Sequence, residues 1–107
     1  MFQVNQQKWD VRIVHPTHFK LRRSDGSFSI GVCDDNDKVI YMSGAINGIL
    51  FREVLCHEIT HAVLFSYNIS LSYNQEEIVA NVLAKYGKEI VNITNKVYYK
   101  IKNGTRY

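Results

Sequence analysis

The stretch EVLCHEITHAVLF, Glu53 to Phe65, places two histidines four residues apart with a glutamate directly after the first. On a helix, positions i and i+4 differ by only about 40° of rotation, so His57 and His61 project from one face and can grip one small cation between their imidazoles. Glu58 lies about 100° round the axis from His57, poorly placed as a ligand but within reach of a water held by that cation. This is the geometry of a general base beside a metal-activated water. The plainer alternative is a helix with two core histidines whose hydrogen bonds are satisfied. The neighbouring residues weigh against it, because burying two imidazoles and a carboxylate in so apolar a segment is costly unless something compensates them. A zinc ion would.

Zinc in a hydrolytic site normally takes three protein ligands and a water. Beyond His61 the chain has no histidine, cysteine or aspartate, and its acidic side chains are Glu76, Glu77 and Glu89. A metzincin pattern is excluded, since it needs glycine where Leu64 stands and histidine where Tyr67 stands. The third ligand is therefore sought in EEIVAN, Glu76 to Asn81. Adjacent helical residues diverge by about 100°, so Glu76 and Glu77 are alternatives. Geometry favours Glu77: Asn81 shares its face four residues on and can hydrogen-bond a liganding histidine from behind, whereas Glu76 is followed at that spacing by Ala80. Glu77 could instead close a capping box on Asn74, although Ser72 and Gln75 make an equivalent box earlier. His15 and His18 in HPTH are upstream candidates, better read as strand or turn surface.

These side chains need a frame. A chain of 107 residues, 46% hydrophobic and 21% charged, reads as one globular domain spanning residues 1–107. Strands come first: WDVRIV alternates, and SFSIGVCD and KVIYMSG flank the turn-rich DNDK as a hairpin. From an N-cap at Asn47, a helix runs to Tyr67 with no Gly or Pro after Gly48, apolar nearly all round and hence expected to be mostly buried. A polar connector, YNISLSYN, leads to QEEIVANVLAKYGKEIV, with Ile78, Val79, Val82, Leu83, Tyr86 and Ile90 at helical spacing; Gly87 either sits inside this helix or ends it. KVYYKIKNG reads as a last strand. The fold class is α+β: an N-terminal antiparallel or mixed sheet of about three strands, the HExxH helix, a second helix with the glutamate ligand, and a C-terminal strand.

Other function classes are disfavoured. The net charge of +3 is spread out, and the basic stretches KLRR and KVYYKIK read as solvated faces rather than a nucleic-acid surface. The N-terminus MFQVNQQKWD is polar, and no run of about 18 apolar residues occurs, so a membrane partner is not expected and a cytoplasmic location is. Cys33 and Cys56 are then reduced thiols.

HEITH followed by EEIVAN resembles the gluzincin metallopeptidases, whose ligand glutamate begins an E-x-x-x-D/N element on the following helix. The short HExxH…ExxAN pattern is similar to the ImmA/IrrE-type metallopeptidases and to the single-domain minigluzincins, over roughly Val39 to Tyr86. The resemblance implies a small zincin-like domain with Zn2+ on His57, His61 and Glu77, Glu58 as general base, and Asn81 supporting the ligands. It also implies that VIYMSG is the edge on which an extended peptide or protein substrate lies. Val79 stands where many ImmA/IrrE members carry an acidic residue, and no helix-turn-helix module fits the chain.

The function expected is zinc-dependent peptide hydrolysis, with Tyr67 and Tyr73 in the connector as candidate oxyanion donors. The alternative is a non-catalytic, zinc-stabilised interaction or regulatory module of phage or antitoxin type, closed by a fourth protein ligand for which Glu76 is nearest. The tail KVYYKIKNGTRY alternates Val97, Tyr99 and Ile101 against Lys100 and Lys102. A strand there could pair with a sheet edge of its own chain or a neighbour's, giving latency or self-association, or simply form an outer strand or frayed end.

Overall fold

The computed structural model describes residues 1–104. Strands β1 (Phe2–Val4) and β2 (Gln7–Val14) form an antiparallel hairpin. Its turn residues Asn5 and Gln6 both have positive φ, 47° and 64°, the conformation whose twist matches the two flanking strands. A 3₁₀ turn (Phe19–Leu21) and an irregular stretch lead to β3 (Gly31–Asp34), which turns back into β4 (Val39–Ser43). The sheet order is β1-β2-β4-β3, with β2 and β4 parallel and the outer pairs antiparallel. The sheet is thus mixed and has four strands rather than about three. The extra one, β1, is three residues long in a polar segment, too short for alternation to show.

All five residues of β4 are buried, as an unbroken apolar run in a central strand requires. Ile40 and Met42 pack with Trp9 and Ala62 on the face that receives the first helix, and Val39 and Tyr41 pack with Leu21 on the other. This placement corrects the expected substrate edge. VIYMSG is interior, paired on both sides, and the open edges belong to β1 and β3.

Helix α1 (Gly48–Ser66) follows its N-cap Asn47, whose side chain makes no capping bond. It is less buried than its composition predicts: Glu58, Thr60, Ala62, Leu64 and Ser66 are enclosed, while Ile49 and Leu50 are 79% and 50% exposed. The sheet and the second helix cover two sides of α1, and its first turn stays open. Its far end is fastened to the hairpin, where Trp9 Nε1 donates to Ser66 Oγ at 2.9 Å and Asn5 Nδ2 donates to the Ser66 carbonyl at 2.7 Å. The second bond satisfies one of the carbonyls that a helix C-terminus leaves without a partner.

Helix α2 (Tyr73–Lys102) begins with a capping box in which Gln75 N–H donates to Ser72 Oγ and Ser72 N–H donates to Gln75 Oε1. That box leaves the Glu76 and Glu77 side chains free for other work. Ala80 and Ala84 are buried where α2 meets α1, and the Cys56 thiol approaches the Leu83 carbonyl across the same contact. Gly87 is accommodated within the helix. The expected C-terminal strand is absent from the described residues: Lys96 to Lys102 continue α2, because Ile90, Ile93, Val97 and Ile101 recur every three or four residues and helical period overrides the local alternation. Residues 105–107 of the tail KVYYKIKNGTRY lie outside the described residues. No described helix is long and apolar enough to cross a membrane.

Candidate metal centre

His57, Glu58 and His61 sit in the middle of α1, and Glu76, Glu77 and Asn81 sit in the first three turns of the antiparallel α2. A spacing of four residues on α1 sets the Nε2 atoms of His57 and His61 3.1 Å apart. Glu77 bridges them, with Oε2 3.2 Å from His57 Nε2 and Oε1 3.2 Å from His61 Nε2. Ligand atoms of these three residues all lie within 4.8 Å of one another.

The outer ring nitrogens determine what the inner ones offer. His61 Nδ1 is 2.6 Å from Glu76 Oε1, and a carboxylate only accepts, so the His61 proton sits on Nδ1. His57 Nδ1 is 3.0 Å from Asn81 Oδ1, also an acceptor. With both rings neutral, the two Nε2 atoms would point lone pairs inward, at each other and at the Glu77 carboxylate. Three such acceptors would repel one another, and a divalent cation fits between them. The donor set of two imidazoles and a carboxylate suits zinc.

Glu58 is 7% exposed and stands outside this group, under strand β3. Burial raises its carboxyl above the ordinary carboxylate range, the His57 and His61 imidazoles oppose that rise, and Glu77 adds to it. Strand β3 approaches so closely that a Cβ on Gly31 would lie 2.7 Å from Val54 Cγ1 and 3.2 Å from Glu58 Cγ. Glycine here lets a strand backbone form the wall over the buried Glu58. A cleft of about 530 Å³ opens between β3 and the two helices, and both His57 and His61 face it along with Glu58, Glu76 and Glu77.

Among the other residues singled out by sequence, Tyr73 stands on the cleft rim and Tyr67 does not reach it. His15 bonds Thr17, and His18 stacks on Phe19 and Tyr41 on the far side of the sheet, so neither joins the group. Cys33 lines the cleft, but burial first and the nearby carboxylates second push its thiol up to about 12, and Cys33 and Cys56 are both free. Cys33 is not one of the residues whose ligand atoms come together.

Two residues of the cleft stand where the sequence reading did not put them. Glu76, weighed there as an alternative ligand, contacts His61 Nδ1, on the side of the ring away from Glu77, and the adjacent pair EE was itself the available signal, since neighbours on a helix can serve different sides of one site. Arg23, counted within a solvated basic stretch, reaches the cleft wall with its Nε donating to Ser29 Oγ at 3.0 Å. No local pattern announces that.

The two glutamates should separate in a zinc titration. Glu76→Gln is expected to weaken zinc binding by about 10- to 100-fold, the usual effect of removing an outer partner of a ligand histidine, whereas Glu77→Gln should weaken it considerably more. Competition against a chelating dye measures both. Equal effects would mean that the two carboxylates share the ligand role.

Comparison with known protein families, with curated proteins and with solved structures returned no match. Sequence and geometry alone therefore characterise this chain: a small α+β domain with a four-stranded mixed sheet, two long helices and a His-His-Glu group held between them.

Proposed function

We propose that this chain is a zinc-dependent peptidase that uses His57, His61 and Glu77 as metal ligands and Glu58 as its general base. The observation that carries the reading is the convergence of two Nε2 atoms and a carboxylate, beside a buried glutamate that is not one of the three. A bound zinc ion would polarise the scissile carbonyl and acidify the attacking water. Glu58 takes the water's proton and returns it to the leaving amine, and its enclosed position favours a more basic carboxylate. Glu76 and Asn81 hold the two rings in place. The open edge of β3 offers unpaired backbone groups beside the cleft, so an extended peptide would add there as a further strand. Tyr73 on the rim is the better placed of the two tyrosines to donate to the carbonyl oxygen.

The resemblance of HEITH…EEIVAN to the gluzincins supports this assignment. A closed structural zinc is less well supported, because Glu76, the nearest fourth ligand, is engaged with His61 Nδ1 and the group opens to the cleft. The test is proteolysis of an unfolded, carboxymethylated protein by the zinc-loaded chain. Cleavage should stop with 1,10-phenanthroline and return on adding zinc. A fully loaded protein that cuts no member of a diverse peptide library would favour the non-catalytic module.

A further inference from the structure

Helix α2 is 30 residues long and its partner α1 only 19, so α2 presents more apolar surface than the chain covers. Val79, Leu83, Tyr86, Ile90, Ile93 and Val97 follow one another at alternating steps of four and three, the spacing of a seam between paired helices. The first five are each more than a third exposed, with Ile90 at 50% and Ile93 at 55%. At 3.6 residues per turn this stripe lies roughly 120° round the axis from Ala80 and Ala84, the side that meets α1. A helical segment of this length with an open apolar face needs a cover in water.

We infer that the cover is a second copy of this chain, with its α2 packed antiparallel on the first across a two-fold axis between Val91 and Asn92. Charge complementarity selects the occupant and its direction. In this register Ile90 packs in a layer with Ile93 of the other copy, and Val97 with Tyr86. The same register sets Glu89, which flanks the seam, beside Lys96 of the other copy, and the two-fold repeats that pair. Both residues are exposed. A parallel pairing sets the two copies of Lys100 against each other in the seam and brings Glu89 opposite Thr94, so the complementarity is lost. The interface is isologous and closes at two copies.

Sedimentation equilibrium of the zinc-loaded chain tests this. The parent should be a concentration-dependent dimer, and Ile90→Glu or Ile93→Glu should raise the dissociation constant by roughly 100-fold or more, with helix content and zinc stoichiometry unchanged. Glu89→Lys alone should weaken dimerisation about tenfold through two like-charge contacts, and adding Lys96→Glu should restore it. Three results would each overturn the proposal: a parent that stays monomeric up to about 100 μM, a dimer indifferent to Ile90→Glu and Ile93→Glu, or a Glu89→Lys defect that Lys96→Glu does not repair. Binding of a monomeric parent to phosphatidylserine vesicles would identify lipid as the cover instead.

Discussion

Replacing Glu58 by glutamine is expected to lower peptide hydrolysis by about two to four orders of magnitude, the range that a positioned general base contributes, while zinc stays bound. The argument rests on where this side chain is and what it does not touch. Its carboxylate is absent from the group formed by His57, His61 and Glu77, so an amide in its place removes no ligand. The residue is almost enclosed beneath Gly31, and glutamine has the same shape. Burial already penalises the charge on Glu58, so a neutral amide costs the fold little and the melting temperature should hold or rise slightly. Activity per mole of bound zinc, measured beside circular dichroism melting, is the relevant comparison. Loss of zinc from the Glu58→Gln protein would make the residue part of the metal site, and retained activity would remove it from the chemistry.

The second large effect concerns the metal itself. The purified chain should bind about one zinc, and either His57→Ala or His61→Ala should bring occupancy at micromolar metal close to zero, a larger loss than the roughly 100-fold ceiling for outer partners. Stability reports the same event. At a free zinc concentration 100 times the dissociation constant, binding stabilises the folded state by about 2.7 kcal/mol, or roughly 10 °C in melting temperature for a domain of this size. Removing zinc from the parent should therefore lower its melting temperature by about that amount, and both histidine variants should melt at the same temperature with or without zinc. His15→Ala and His18→Ala should behave as the parent. Full zinc occupancy in a protein lacking both His57 and His61 would end the metal reading.

What could be read from the sequence divides along physical lines. The relation of His57, Glu58 and His61 is set by helical rotation alone, and the order of strands before helices follows from period and turn residues. The expectation that Glu77 rather than Glu76 is the ligand came from Asn81 on the same face, and in the structure Glu77 lies beside both Nε2 atoms while Glu76 lies beside His61 Nδ1. The identity of the edge strand was not legible. KVIYMSG precedes α1 directly in the chain, yet strand order depends on how β2 returns to pair in parallel with β4, and no local signal records that pairing. The tail misled for a different reason: alternation over seven residues imitates a strand, and only the longer window from Ile78 shows the helical repeat. Burial of α1 was overestimated because apolar composition reports the wish to be covered and not the number of covering elements.

The position of the site along the chain bears on how it comes together in time. All three proposed metal ligands lie between His57 and Glu77, on a helical hairpin joined by a connector of six residues, 67–72, so the contacts that gather them are local. The wall over Glu58 is different. Strand β3 is held in place through β4, which pairs in parallel with β2 across some 25 intervening residues, Val14 to Val39, and closing such a loop is the slower kind of event. The approach of His57, His61 and Glu77 therefore rests on local contacts, and the enclosure of Glu58 on the slower, non-local ones. If the proposed ligands hold zinc, metal present during folding would meet them before the cleft has its roof, and a chain caught at that stage would hold a cation with Glu58 still open to water.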